Sequence, residues 1–155
     1  MERNKELVEV LNDLIRINHD RIEGYAKAGE NARDIDVDLR AIFNRLGNES
    51  REYAQQLAEE VVAQGGEPVA GTTASGKIYR AWMDVKATFS GKDRKSVLAA
   101  CEFGEDAAQR AYEEALASDA AMPAGVRQLI ATQKEALKTS HDLIKKYRDM
   151  HAIAK

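Results

Sequence analysis

The chain has 155 residues, a formal net charge of −3 and a pI of about 5.7, a balance that argues against a general nucleic-acid binder. A single cysteine excludes an intramolecular disulfide, and no apolar run is long enough to span a bilayer. With two prolines, 32% charged residues and 6% aromatics, the composition favours helices over sheet; the length suits one domain, 1–155, able to bury roughly 70% of its unfolded surface. The charged opening MERNKELVEV does not read as a signal peptide, so a cytoplasmic location is the expectation, with neither membrane nor nucleic acid as partner.

Residues 3 to about 29 carry the first helical pattern, with Leu7, Val10, Leu11, Leu14, Ile17, Ile22 and Tyr25 recurring at three and four. Asn18 interrupts that stripe, and a polar residue at a core position sets register. His19 reads as a boundary residue beside the stripe. Asp34 or Asp36 is suited to cap a second helix of about 34–64, with Leu39, Ile42, Phe43, Leu46, Tyr53, Leu57 and Val61 inward. Gly47-Asn48 is its weak spot, yet the apolar phase continues across it, so one helix is expected. Glu49 and Glu52 stand at i and i+3 in its middle, with Arg51 between them marking a charged surface as the plain reading. Gly65-Gly66 ends it.

The segment GGEPVAGTTASG opens a long connector. Ser75 is placed to cap a short helix of about 77–89, whose Ile78, Trp82, Val85 and Phe89 share one side and anchor it to the bundle. Asp93 then caps a central helix of about 93–118. Its seam is Val97, Cys101, Gly104, Ala108, Ala111 and Ala115, flanked by Leu98, Glu105 and Tyr112. The small residues let a neighbouring helix approach closely, and Cys101 reads as a small buried hydrophobe. Pro123 opens the last helix, about 123–152, with Val126, Leu129, Ile130, Gln133, Leu137, Ser140, Ile144 and Tyr147 inward and His141 at the border. Lys145, Lys146 and Arg148 suit the negative end of its dipole.

Glu105 is the residue out of place, because an ionised carboxylate facing a core costs several kcal/mol unless it is paired, hydrogen-bonded or neutralised. Three readings stay open: it leans to a solvated rim, it joins a buried hydrogen-bond network with a tyrosine, or it ligates a metal. Glu102, one turn earlier, faces the same side closely enough to share a site.

The first and third long helices echo one another: Asn18 precedes Tyr25 by seven and Glu105 precedes Tyr112 by seven. Two helix pairs joined by a long crossover resemble the ferritin-like architecture, an all-α four-helix bundle, here with the short extra helix between helices 2 and 3. The phrases LNDLIRINHDRIEGY, CEFGEDAAQRAYEEAL and HDLIKKYRD, with GGEP before the short helix, resemble an uncharacterised bacterial family of ferritin-like four-helix bundles, a domain of unknown function. That resemblance implies the fold and a bacterial source, and no established activity.

In the di-metal members of the wider superfamily, one glutamate comes from each of two helices and a Glu-x-x-His pair from each of the other two. The carry-over is incomplete. Glu105 matches the lone glutamate of the third helix, whereas the first helix offers Asn18, which is uncharged. Glu49-x-x-Glu52 lacks the histidine, and Lys138-x-x-His141 has a cation in place of the carboxylate. Two functions therefore remain. The favoured one is a non-catalytic, self-associating bundle, a homodimer or higher, with a structural, interaction or stress-associated role and no cofactor. The alternative is an iron or manganese oxidase or metal store built on Glu49, Glu52, Glu102, Glu105 and His141. A DNA-protecting ferritin relative is a weaker third, since MERNKELVEV is not a lysine-rich tail.

Overall fold

A computed structural model describes residues 2–31, 37–71 and 94–154. Among them are four helices and no strand: α1, Glu2–Asn31; α2, Val37–Ala63; α3, Arg94–Ala117; and α4, Ala124–Ala154. The expected helix at 77–89 with its Trp82, and the caps assigned to Asp34, Asp36, Ser75 and Asp93, lie outside the described residues.

α1 is long because its buried positions keep a strict four–three spacing: Leu7, Leu11, Leu14, Asn18, Arg21, Tyr25 and Ala28 are all buried. α2 runs unbroken through Gly47-Asn48. Gly47 is buried against α1, where a Cβ would stand an ordinary 3.6 Å from the Cβ of Tyr25, and it does not break the helix. The end of α2 is a Schellman turn: the Gly66 N–H donates to Val61 O at 2.9 Å and the Gly65 N–H to Val62 O at 2.9 Å. Gly65 supplies the positive φ of 82° that this turn needs. Gly66 has a separate reason, since a Cβ there would fall 2.7 Å from a methyl of Val8. α4 starts at Ala124, with the Pro123 carbonyl accepting from the N–H groups of Val126 and Arg127.

α1 packs along α2, and α3 along α4, as two hairpins; α1 also meets α3, and α2 meets α4. Asn18 bonds Tyr112 while Arg21 bonds Glu105, so α1 and α3 are antiparallel. Gln56 bonds Gln133 while Glu49 bonds Ser140, so α2 and α4 are antiparallel too. α2 and α3 must then be parallel, so Ala63 and Arg94 lie at opposite ends of the bundle, the arrangement of ferritin-like proteins. The described start of the connector between them is tied down on α1. Asn12 donates to Glu67 O and accepts from the Val69 N–H, both at 3.1 Å, and a ring nitrogen of His19 lies 2.8 Å from Gly71 O.

The interior is divided. One apolar cluster gathers Leu7, Leu11, Leu14, Leu57, Ala111 and Ile130 with their neighbours. A second, at the other end, gathers Tyr25, Phe43, Leu46, Leu98, Cys101 and Ile144. Between them lies a polar waist.

Candidate functional site: a buried arginine at the waist of the bundle

Every helix contributes to the waist. Arg21 comes from α1 and Glu105 from α3, and both are almost wholly buried, at 0% and 1% exposure. They form a two-pronged pair: Arg21 Nε donates to Glu105 Oε1 at 2.6 Å and Nη2 to Oε2 at 2.9 Å. This is the geometry in which a guanidinium matches a carboxylate best. The remaining arm, Nη1, donates to Ser50 Oγ at 2.8 Å and Leu46 O at 3.2 Å, and lies 3.0 Å from Glu49 Oε1. α2 thus closes the third side of the guanidinium. The ring of Tyr25 covers it at 5.3 Å from its centroid and stacks in turn on Phe43.

From Arg21 the hydrogen bonds run in one direction through the bundle. Ser50 Oγ donates to Asn18 Oδ1 at 2.9 Å, and Asn18 Nδ2 donates to the Tyr112 hydroxyl at 2.9 Å. Tyr112 donates to Gln133 Oε1 at 2.7 Å, and Gln133 Nε2 donates to Gln56 Oε1 at 2.9 Å. Glu49 accepts from Ser140 Oγ at 2.9 Å and is hydrogen-bonded to Tyr53. Such a chain polarises itself and leaves these buried groups satisfied.

The electrostatics follow from burial. Desolvation works against the charge on Arg21, but attraction and hydrogen bonding from Glu105, with help from Tyr25 and Glu49, outweigh it and raise its pKa. The arginine is a permanent cation. Burial, then the Glu105 charge, pushes the Cys101 thiol well above its ordinary value, so it stays neutral. Burial also raises Tyr112, and burial together with Glu49 raises Tyr53. Both remain phenols that donate hydrogen bonds.

Residues 6–118, which cover α1 to α3, match the family described as Domain of unknown function (DUF2383). The chain belongs to that family. No curated protein matches the sequence at a significant level. Among solved structures, a Dps1 variant from Mycobacterium smegmatis superposes with a TM-score of 0.77 at 11% identity, covering 95% of this chain and 97% of that one. The likeness is one of fold: this DUF2383 chain is a ferritin-like four-helix bundle.

The five glutamate and histidine residues singled out in the sequence do not meet at one point. Glu105 and Glu49 converge, but on Arg21. Glu52 is exposed. Glu102 and His141 lie together at the seam between α3 and α4. There Glu102 pairs with Arg148, and His141 Nε2 stands 2.6 Å from Asp106 Oδ1 and 3.9 Å from Glu102 Oε2. Asp142, 3.1 Å from the other His141 ring nitrogen, has its pKa lowered by hydrogen bonds from His141 and from Lys138. Among the described residues, no group of three or more His, Cys, Asp or Glu is arranged to hold a metal ion. The waist therefore does not fit a divalent metal: its two carboxylates already share a fixed cation, and a second cation beside it would meet repulsion in a medium of low dielectric.

Of the three readings of Glu105, the structure realises the buried network. Its direct partner is an arginine, and the tyrosine, Tyr112, joins the same network through Asn18 and Ser50. Arg21 escaped the sequence reading, which left the four–three spacing after Ile17 and moved to Ile22, a residue the fold leaves half-buried. The signal was present: Arg21 is three residues after Asn18 and four before Tyr25, on the inward phase. Ser50 was missed on the same grounds, four residues after Leu46 and four before Ala54.

Proposed function

We propose that this chain is a non-catalytic ferritin-like bundle that acts through its surface and by self-association, as a homodimer or higher assembly. The observation that carries the reading is the Arg21 guanidinium, which holds Glu105 and Glu49 at the centre of the four helices. Its charge does there what a bound cation would do, and its hydrogen bonds use the lone pairs a cation would need. A structural or stress-associated role in the cytoplasm accompanies this reading, without cofactor, nucleic acid or membrane as partner; no described helix is long and apolar enough to cross a membrane.

The alternative is an iron or manganese oxidase or metal store, which requires Glu49, Glu52, Glu102, Glu105 and His141 to gather around metal, whereas they stand apart in three groups. The deciding experiment is the metal content of protein purified without chelators or a histidine tag, measured by plasma mass spectrometry before and after iron loading. The expected result is far less than one metal per chain in both samples. About two irons or manganeses per chain, the stoichiometry of a di-metal centre, would overturn the proposal in favour of the oxidase or store.

A further inference from the structure

We propose that Arg21 is the residue that excludes divalent cations from the waist, and that without its guanidinium the same helices present an all-oxygen site for a hard divalent cation. The inference rests on the metal-free reading above and assigns its cause to one side chain.

The geometry is that of a cation already in its cage. Glu105 from α3 and Glu49 from α2 approach the guanidinium from different helices at 2.6 Å and 3.0 Å, and Ser50 Oγ and the Leu46 carbonyl complete its surroundings at 2.8 Å and 3.2 Å. Every acceptor is oxygen. His141 is bound up at the α3–α4 seam with Asp106, and Cys101 is a neutral thiol. The donor set is therefore hard, suited to manganese or magnesium and not to thiolate-seeking metals. The two carboxylates bring two negative charges, of which Arg21 cancels one. A neutral side chain at position 21 leaves both charges facing a buried space, the balance that a divalent ion satisfies. One of the two is already oriented by its neighbours: Ser140 and Tyr53 bond Glu49.

The test compares four full-length chains: wild type, Arg21→Lys, Arg21→Gln, and Arg21→Gln combined with Glu105→Gln. Each is titrated with Mn²⁺ at up to millimolar concentration, followed by loss of the free-ion electron paramagnetic resonance signal and by thermal unfolding. Wild type and Arg21→Lys, which keep a cation at position 21, should show no saturable uptake and no shift in Tm. Arg21→Gln should bind about one Mn²⁺ per chain and gain roughly 5 °C or more in Tm at saturation. The double variant should lose that response. Should Arg21→Gln not fold alone, it is refolded with Mn²⁺ present, and recovery of helical circular dichroism replaces the Tm shift. A folded Arg21→Gln without saturable uptake, or one that stays unfolded with and without Mn²⁺, overturns the inference. Native metal in the wild type would instead overturn the metal-free reading, so the two failures are separable.

Discussion

The bundle is held in two ways, and the contrast between them is instructive. At the end that contains Leu7, Leu11, Leu57, Val61 and Ile130, the contacts are apolar and close-packed. They reward burial and volume, and they are indifferent to direction. At the waist the contacts are few and directional, and each names its partner: Arg21 with Glu105, Asn18 with Tyr112, Gln56 with Gln133. A slide of one helix by a heptad would exchange one apolar contact for another at the end. At the waist it would leave a buried charge without its counter-charge. The ends thus supply most of the stability, and the waist supplies the register.

The sharpest way to break this comparison is Glu105→Ala. It leaves Arg21 buried and half-paired, and the expected loss is about 3–5 kcal/mol, read from chemical unfolding. Pairing it with Arg21→Met, so that the fully buried ion pair leaves together and only the part-exposed Glu49 loses its counter-charge, should recover most of that loss; a double variant as weak as the single one would refute the division of labour. Next comes Leu11→Ala at the apolar end, expected to cost about 2–5 kcal/mol by transfer and cavity terms. Unlike the waist variants, it should leave every ion pair and the tyrosine behaviour described below unchanged.

A third measurement uses pH. Burial raises the pKa of Tyr25, of Tyr112 and, with the charge of Glu49, of Tyr53. In the unfolded chain tyrosines ionise from about pH 10; in the fold these three do so only at higher pH. The stabilisation is therefore complete below about pH 10 and is lost as pH rises through the folded values. Phenolate absorbance should show these three titrating only as the helices melt, and unfolding midpoints in urea should fall steadily above that pH. Tyrosines that titrate normally in the intact bundle would mean that the waist is open to water. The smallest effect is a gain: Gly47→Ala meets only Tyr25 at an ordinary 3.6 Å, and should stabilise α2 by up to about 1 kcal/mol. A loss of stability would show that α1 and α2 touch more tightly there than this spacing implies.

Much of the fold was legible because it is written in local terms. The inward phase of α3 was read from Val97 through Ala115, the stop at Gly65-Gly66 from glycine chemistry, and the odd placement of Glu105 from its position among alanines. The partner of Glu105 was harder to read. It lies 84 residues away, and arginine sits on the surface by default, so nothing local marks it as interior except its place on the same four–three stripe as Asn18 and Tyr25. Glu102 was read as sharing a side with Glu105, and His141 as bordering the last helix's stripe; in the fold the two lie together at the seam between α3 and α4, because a small rotation about the helix axis separates an inward carboxylate from one that faces the seam. Spacing alone does not resolve that angle.

The one-way hydrogen-bond chain also bears on time. Within each hairpin the contacts, including the waist bonds of Arg21 to Ser50 and of Tyr112 to Gln133, join residues closer in the sequence, whereas the waist bonds between the hairpins join residues 77 to 94 positions apart. Loop entropy favours the hairpins forming early, with the waist bonds between them closing once they have docked. Interactions made after the folding barrier govern escape from the folded state more than entry to it. The salt bridge at the centre of this bundle is then chiefly a brake on unfolding, and it sets how long one assembled copy persists.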